Sequence, residues 1–137
     1  ASLEYATQYL ESDPMRVMPE ETGMHPFSVQ SAYDILHPDA PYNTFPYFEA
    51  KQKRMGTKPL FREYKAITKP QLVIFGDNDE FTYTGGGTQE VLALLESVTH
   101  PESRKHSRFE IIEGTDHGFH GKEKELAERI ADWLQSL

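Results

Sequence analysis

The hydrophobic positions change their rhythm near residue 67. Beyond it they fall into four clear runs. Gln71-Leu72-Val73-Ile74-Phe75 follows Pro70 as a continuous apolar stretch and stops at Gly76. That pattern predicts a fully buried strand of parallel type. Val91, Leu92, Leu95 and Val98 mark one face of a helix, with Thr88 as its predicted N-cap and His100-Pro101 as its stop. Arg108-Phe109-Glu110-Ile111-Ile112 reads as a second strand ending at Gly114. Leu126, Ile130, Trp133, Leu134 and Leu137 recur at helical spacing, opposite a face of Lys122, Glu123, Lys124, Glu125, Glu128, Arg129 and Asp132. Such a helix lies on a sheet with its charged face in water. Strand, helix, strand, helix predicts an α/β fold with a parallel sheet.

Residues 1–66 have no such regularity. Seven of the nine prolines and all four methionines lie there, and half of the aromatic residues fall between Phe27 and Tyr64. Short helices broken by prolines are the natural reading. Ser28 is placed to cap a helix through Val29, Ala32, Tyr33 and Leu36, and His37 must leave the helix because Pro38 follows it. Pro41 to Phe48 reads as loop, and a short helix is predicted from about Pro59 to Ala66. Lys51, Lys53 and Arg54 read as a solvated helix face. There is no internal repeat and no low-complexity tract.

Composition narrows the function. The 137 residues carry 14 Lys and Arg against 22 Asp and Glu, a net charge of −8. An acidic chain without a basic run is a poor partner for nucleic acid or for an anionic membrane surface. No apolar run reaches the ~18 residues of a membrane span, and the first residues do not read as a signal peptide. With no cysteine, there is no disulfide framework, thiolate metal site or cysteine nucleophile. Cytoplasm is the expected compartment.

Two loops concentrate the chemistry. Gly76-Asp77-Asn78-Asp79-Glu80 follows the first strand, where open α/β sheets collect ligand-binding groups. Three acids so close should raise one another's pKa or require a cation, although Asp and Asn are also ordinary turn residues. A calcium loop fits poorly, because Thr82 stands where the sharp turn needs glycine. Gly114-Thr115-Asp116-His117-Gly118-Phe119-His120 follows the second strand, and histidine is the natural proton shuttle near neutral pH. A metal site on Asp116, His117 and His120 has only generic spacing and no further ligand, so no metal or cofactor is expected. Gly85-Gly86-Gly87 reads as a flexible turn, with an anion cradle as the alternative. The methionines and aromatics of residues 15–64 suit an apolar acyl pocket, or simply the packing of proline-rich helices.

Neighbouring parallel strands bring an acid and a histidine to one sheet edge, where the acid can orient the imidazole. The order of strand, acid loop, helix, strand, histidine loop and final helix resembles the C-terminal part of the α/β-hydrolase superfamily. Lys69 to Asp79 looks like its acid-strand motif and Gly114 to His117 like its histidine motif. The resemblance covers residues 67–137 and implies that Asp79, not Asp77, is the triad acid, with His117 as the base. Residues 1–66 then correspond to the cap region by position and composition. The family's nucleophile stands on a G-x-S-x-G turn ahead of the cap. None of the eight serines here (2, 12, 28, 31, 97, 103, 107 and 136) has that setting.

The resemblance therefore implies a C-terminal portion of a serine hydrolase, most simply a carboxylic-ester hydrolase, inactive by itself. Its partners would be an ester-type small molecule and an N-terminal hydrolase half. The alternative is a non-catalytic interaction module that recruits another chain to an open sheet edge.

Overall fold

The computed structural model describes residues 1–42, 59–82 and 87–137. The chain is mixed α/β, with a small parallel sheet and several helices. Helix α1 spans Ser2–Tyr9 and α2 spans Val29–Leu36. They pack through Ala6, Met18, Val29 and Ala32, with Tyr5, Tyr9 and Met24 around them. Ser28 caps α2 as expected, its Oγ accepting from the Ser31 N–H at 3.2 Å, and His37 leaves the helix in extended conformation before Pro38. The sequence reading had no element at α1. An eight-residue helix is marginal in water and has only a weak periodic signal; packing on α2 supplies its stability.

A second core forms from Phe61, Tyr64 and Leu95, joined by Val73, Phe75 and Phe109. Phe61 and Tyr64 come from the short helix α3, Arg62–Lys65, and from its start. Strand β1, Leu72–Gly76, pairs in parallel with β2, Arg108–Ile112, with Val73 opposite Phe109 and Ile74 opposite Glu110. Helix α4, Thr88–Val98, packs on both strands, and α6, Glu123–Gln135, lies against β2. Arg129 of α6 reaches Glu110 at 2.9 Å and Glu125 at 2.7 Å. A strand position that reads as misplaced charge is thereby satisfied.

Three expectations change. Gly87, not Thr88, is the N-cap of α4. Its φ of 78° and ψ of 175° lie in a region that only glycine adopts freely. Thr88 is the first helical residue, and its hydroxyl donates to the Asp77 carbonyl at 3.1 Å. His100-Pro101 does not merely stop α4. Thr99 ends that helix, and Pro101 opens α5, Pro101–Arg104, with the His100 ring accepting from the Glu102 N–H. Proline suits a first helical position because its missing N–H has no partner there.

The third change concerns burial. Leu72 to Phe75 were expected to be fully buried, yet each is only half-buried. Among the described residues β1 pairs with β2 alone, which leaves its other edge without a strand. Ile130 and Leu134 of α6 are exposed as well. The predicted loop at Pro41 to Phe48 lies outside the described residues from position 43 onward, as do Lys51, Lys53, Arg54, Gly85 and Gly86. No helix among the described residues is long and apolar enough to cross a membrane.

Candidate acid–histidine site

Two turns at the carboxyl ends of β1 and β2 build the site. The chain leaves β1 through Gly76, whose backbone lies directly against the other turn. A Cβ at Gly76 would collide with the backbone carbonyl oxygens of Asp116 and Thr115. The Asp77 N–H donates to the Ile112 carbonyl at 3.1 Å and the Asn78 N–H to that of Thr115 at 3.0 Å. In return, the Gly114 and Thr115 N–H groups donate to Asp77 Oδ1 at 2.8 and 3.1 Å. These bonds hold the Asp77 carboxyl below the usual carboxylate range, Gly114 contributing most and Thr115 next. The expectation that crowding raises the acids' pKa thus fails at Asp77, because the amide donors outweigh the opposing desolvation.

Asp79 turns inward. Its side chain is 2% exposed, one carboxylate oxygen accepts from the Phe81 N–H at 2.9 Å, and the other meets His117 Nδ1 at 2.9 Å. His117 is the opposite, with 57% of its side chain in contact with solvent. Its backbone N–H donates to Glu80, and the edge of Phe81 meets its ring with centroids 4.8 Å apart. A carboxylate can only accept, so the neutral imidazole carries its proton on Nδ1 and leaves the Nε2 lone pair free. A buried acid, an oriented ring and an available basic nitrogen form a proton-accepting unit.

Asp116 and His120, grouped with His117 in the metal reading, form a separate pair. His120 Nδ1 meets Asp116 Oδ2 at 2.7 Å, and both side chains are open to water. Their bond raises the pKa of His120 and lowers that of Asp116. With His117 turned toward Asp79, the three residues do not converge. Among the described residues no three metal-ligating side chains are grouped to hold an ion.

A groove of about 430 Å3 runs beside the pair. Leu72, Val73, Ile74 and Phe75 all line it, so it follows the edge of β1 rather than one face, since alternate strand residues point to opposite faces. Ile67 and Phe81 extend its apolar wall, and Asp79 and His117 also line it. None of the serines lines it; among the described residues its one hydroxyl is that of Tyr64, 3.1 Å from Thr99 Oγ1. The sequence pairs Asp79 with His117, and the structure brings the two side chains together; it does not single out Phe81, and it sets Asp77 aside as the triad acid. Residue type and spacing alone do not separate two acids in one turn; the register of the resemblance favours Asp79, and the structure shows their different partners.

No protein-family model, no curated protein and no solved structure matches this chain significantly.

Proposed function

We propose that Asp79 and His117 are the acid and base of a serine-hydrolase triad, in a sheet that forms part of an α/β-hydrolase core, acting on carboxylic esters. The observation that carries this reading is the 2.9 Å contact between a buried carboxylate and a solvent-facing imidazole at one sheet edge. The serine comes from outside these residues, on a segment that sits beside β1. His117 Nε2 takes the proton of that serine hydroxyl as its oxygen bonds to the ester carbonyl carbon. The carbon–alkoxide bond then breaks, and Nε2 returns the proton to the leaving alcohol. Water repeats the sequence on the acyl-serine and releases the acid. Asp79 holds the ring in the useful tautomer and stabilises the imidazolium. The apolar groove contributes to the acyl or alcohol site. The scheme needs no metal or organic cofactor, and the absence of cysteine favours a cytoplasmic setting.

The test is a fluorophosphonate serine probe applied to native purified material, followed by denaturing mass spectrometry. Label on a companion segment, lost in His117→Ala, supports the reading. Ordinary ester turnover by the isolated 137-residue chain, abolished by the same change, overturns the external serine.

One observation favours a second reading. The edge of β1 that no strand among the described residues covers is a template for strand addition, so a non-catalytic module that binds an extended segment also fits. An unlabelled partner paired along β1 would select it.

A further inference from the structure

Asp77 has no place in that scheme, yet it joins more of the site than any other side chain. Its Oδ1 receives the N–H groups of Gly114 and Thr115, just ahead of His117, and the Asn78 side-chain amide at 3.0 Å. Its backbone joins the same turns and the start of α4: its N–H donates to Ile112 and its carbonyl accepts from Thr88. Asp79 and Thr115 are buried, whereas Gly114 and His117 on either side of Thr115 in the histidine turn are exposed. Gly114 stands at φ 73° and Phe119 at φ 55°, and His117 itself adds only one long backbone bond, to Glu80 at 3.3 Å. A small drift of this turn breaks the contact between Nδ1 and Asp79, because hydrogen bonds weaken steeply with distance and angle.

We propose that Asp77 is the positioning residue of the pair: its carboxylate clamps the Gly114-Thr115 backbone so that His117 meets Asp79 in the Nδ1–H tautomer. As a role in catalysis this rests on the hydrolase reading; as a statement about the imidazole it does not. The two backbone donors on this carboxylate oxygen make charge-assisted bonds, stronger than a neutral acceptor would form. The side chain lies at the surface, and the backbone bonds of Asp77 to Ile112 and Thr88 do not depend on it. Its removal is therefore expected to loosen the turn without dissolving the sheet.

The experiment is nitrogen-15 NMR of the His117 ring in the full chain, at a pH where imidazoles are neutral. Wild type, Asp77→Ala, Asp77→Asn and Asp79→Asn are compared. Ring shifts report which nitrogen holds the proton, and Asp79→Asn assigns the signal of the paired state. Expected is a single Nδ1–H form in wild type and a mixture of tautomers in Asp77→Ala. The Nδ1 proton should exchange with water about tenfold faster, as loss of a hydrogen bond of ordinary strength allows. Asp77→Asn, which keeps an acceptor oxygen, should fall between the two. Wild-type ring shifts and exchange in a folded Asp77→Ala overturn the proposal. If Asp77→Ala does not fold, Asp77→Asn decides: faster exchange supports the clamp, and wild-type behaviour overturns it. Absence of the Nδ1–H form in wild type would overturn the pair itself. No step requires turnover or a partner, so failure to find a serine leaves this result intact.

Discussion

Asp79 and His117 lie 38 positions apart in the chain and 2.9 Å apart in space. One side chain is withdrawn from water and the other is open to it, at 2% and 57% exposure. The asymmetry follows from the topology. Asp79 folds back beneath the turn after β1, while His117 projects from the turn after β2. Because parallel strands start their loops at the same sheet edge, the two turns meet.

On the proposed triad, replacing Asp79 by Asn should lower kcat of the assembled enzyme with little change in KM. The amide can donate to Nδ1, so the ring adopts the tautomer that hides its lone pair from the serine. The expected loss is on the order of 10³–10⁴-fold. Steady-state kinetics with a chromogenic ester checks it. A loss seen only in KM would contradict the assigned role.

Gly76→Ala should destabilise the α/β part. The added methyl would meet two carbonyl oxygens of the backbone rather than a movable side chain. The expected cost is roughly 1–3 kcal/mol. Urea unfolding measures it, and a variant within error of wild type would mean that the turns are less tightly apposed.

The exposed Asp116–His120 pair should give a small pH-dependent contribution to stability. His120 has its pKa raised, so its part is full below the unfolded histidine value of about 6.5 and is lost as pH rises through the folded value. Asp116 has its pKa lowered, so its part is full above the unfolded aspartate value of about 3.9 and is lost as pH falls through the folded value. Both parts are complete only between those unfolded values. NMR titration should show His120 titrating above its ordinary value in wild type and returning toward it in Asp116→Asn.

Arg129→Met should cost stability by leaving Glu110 partly buried without its cation. Half-exposure of the arginine limits the effect to about 1 kcal/mol. Adding Glu110→Gln should recover part of it, and a double-mutant cycle by chemical denaturation gives the coupling. Additive effects would show that the contact contributes nothing.

Much of the α/β part was legible in residue order. Strand β1 was readable from its unbroken apolar run, β2 from a short stretch of Phe109, Ile111 and Ile112 ahead of Gly114, and α6 from its periodic apolar positions. Asp79 and His117 were singled out by the register of the resemblance, since an acid after a strand is by itself an ordinary turn residue. Ser28 and His37-Pro38 bounded α2 through local chemistry alone, which needs no tertiary contact.

Features set by contact were not legible. The helix at Ser2–Tyr9 exists because α2 covers it, and eight residues carry too little signal to predict it. Gly87 takes the cap from Thr88 because the approach of the chain requires a backbone conformation closed to threonine. Asp77 and Asp79 are identical as letters in one turn. Only the pairing of β1 with β2 sends one carboxylate to backbone amides and the other to an imidazole. Local sequence determined the residue types and the strand ends that carry them. The division of roles came from the three-dimensional juxtaposition, since a carboxylate's chemistry depends on which donors reach it.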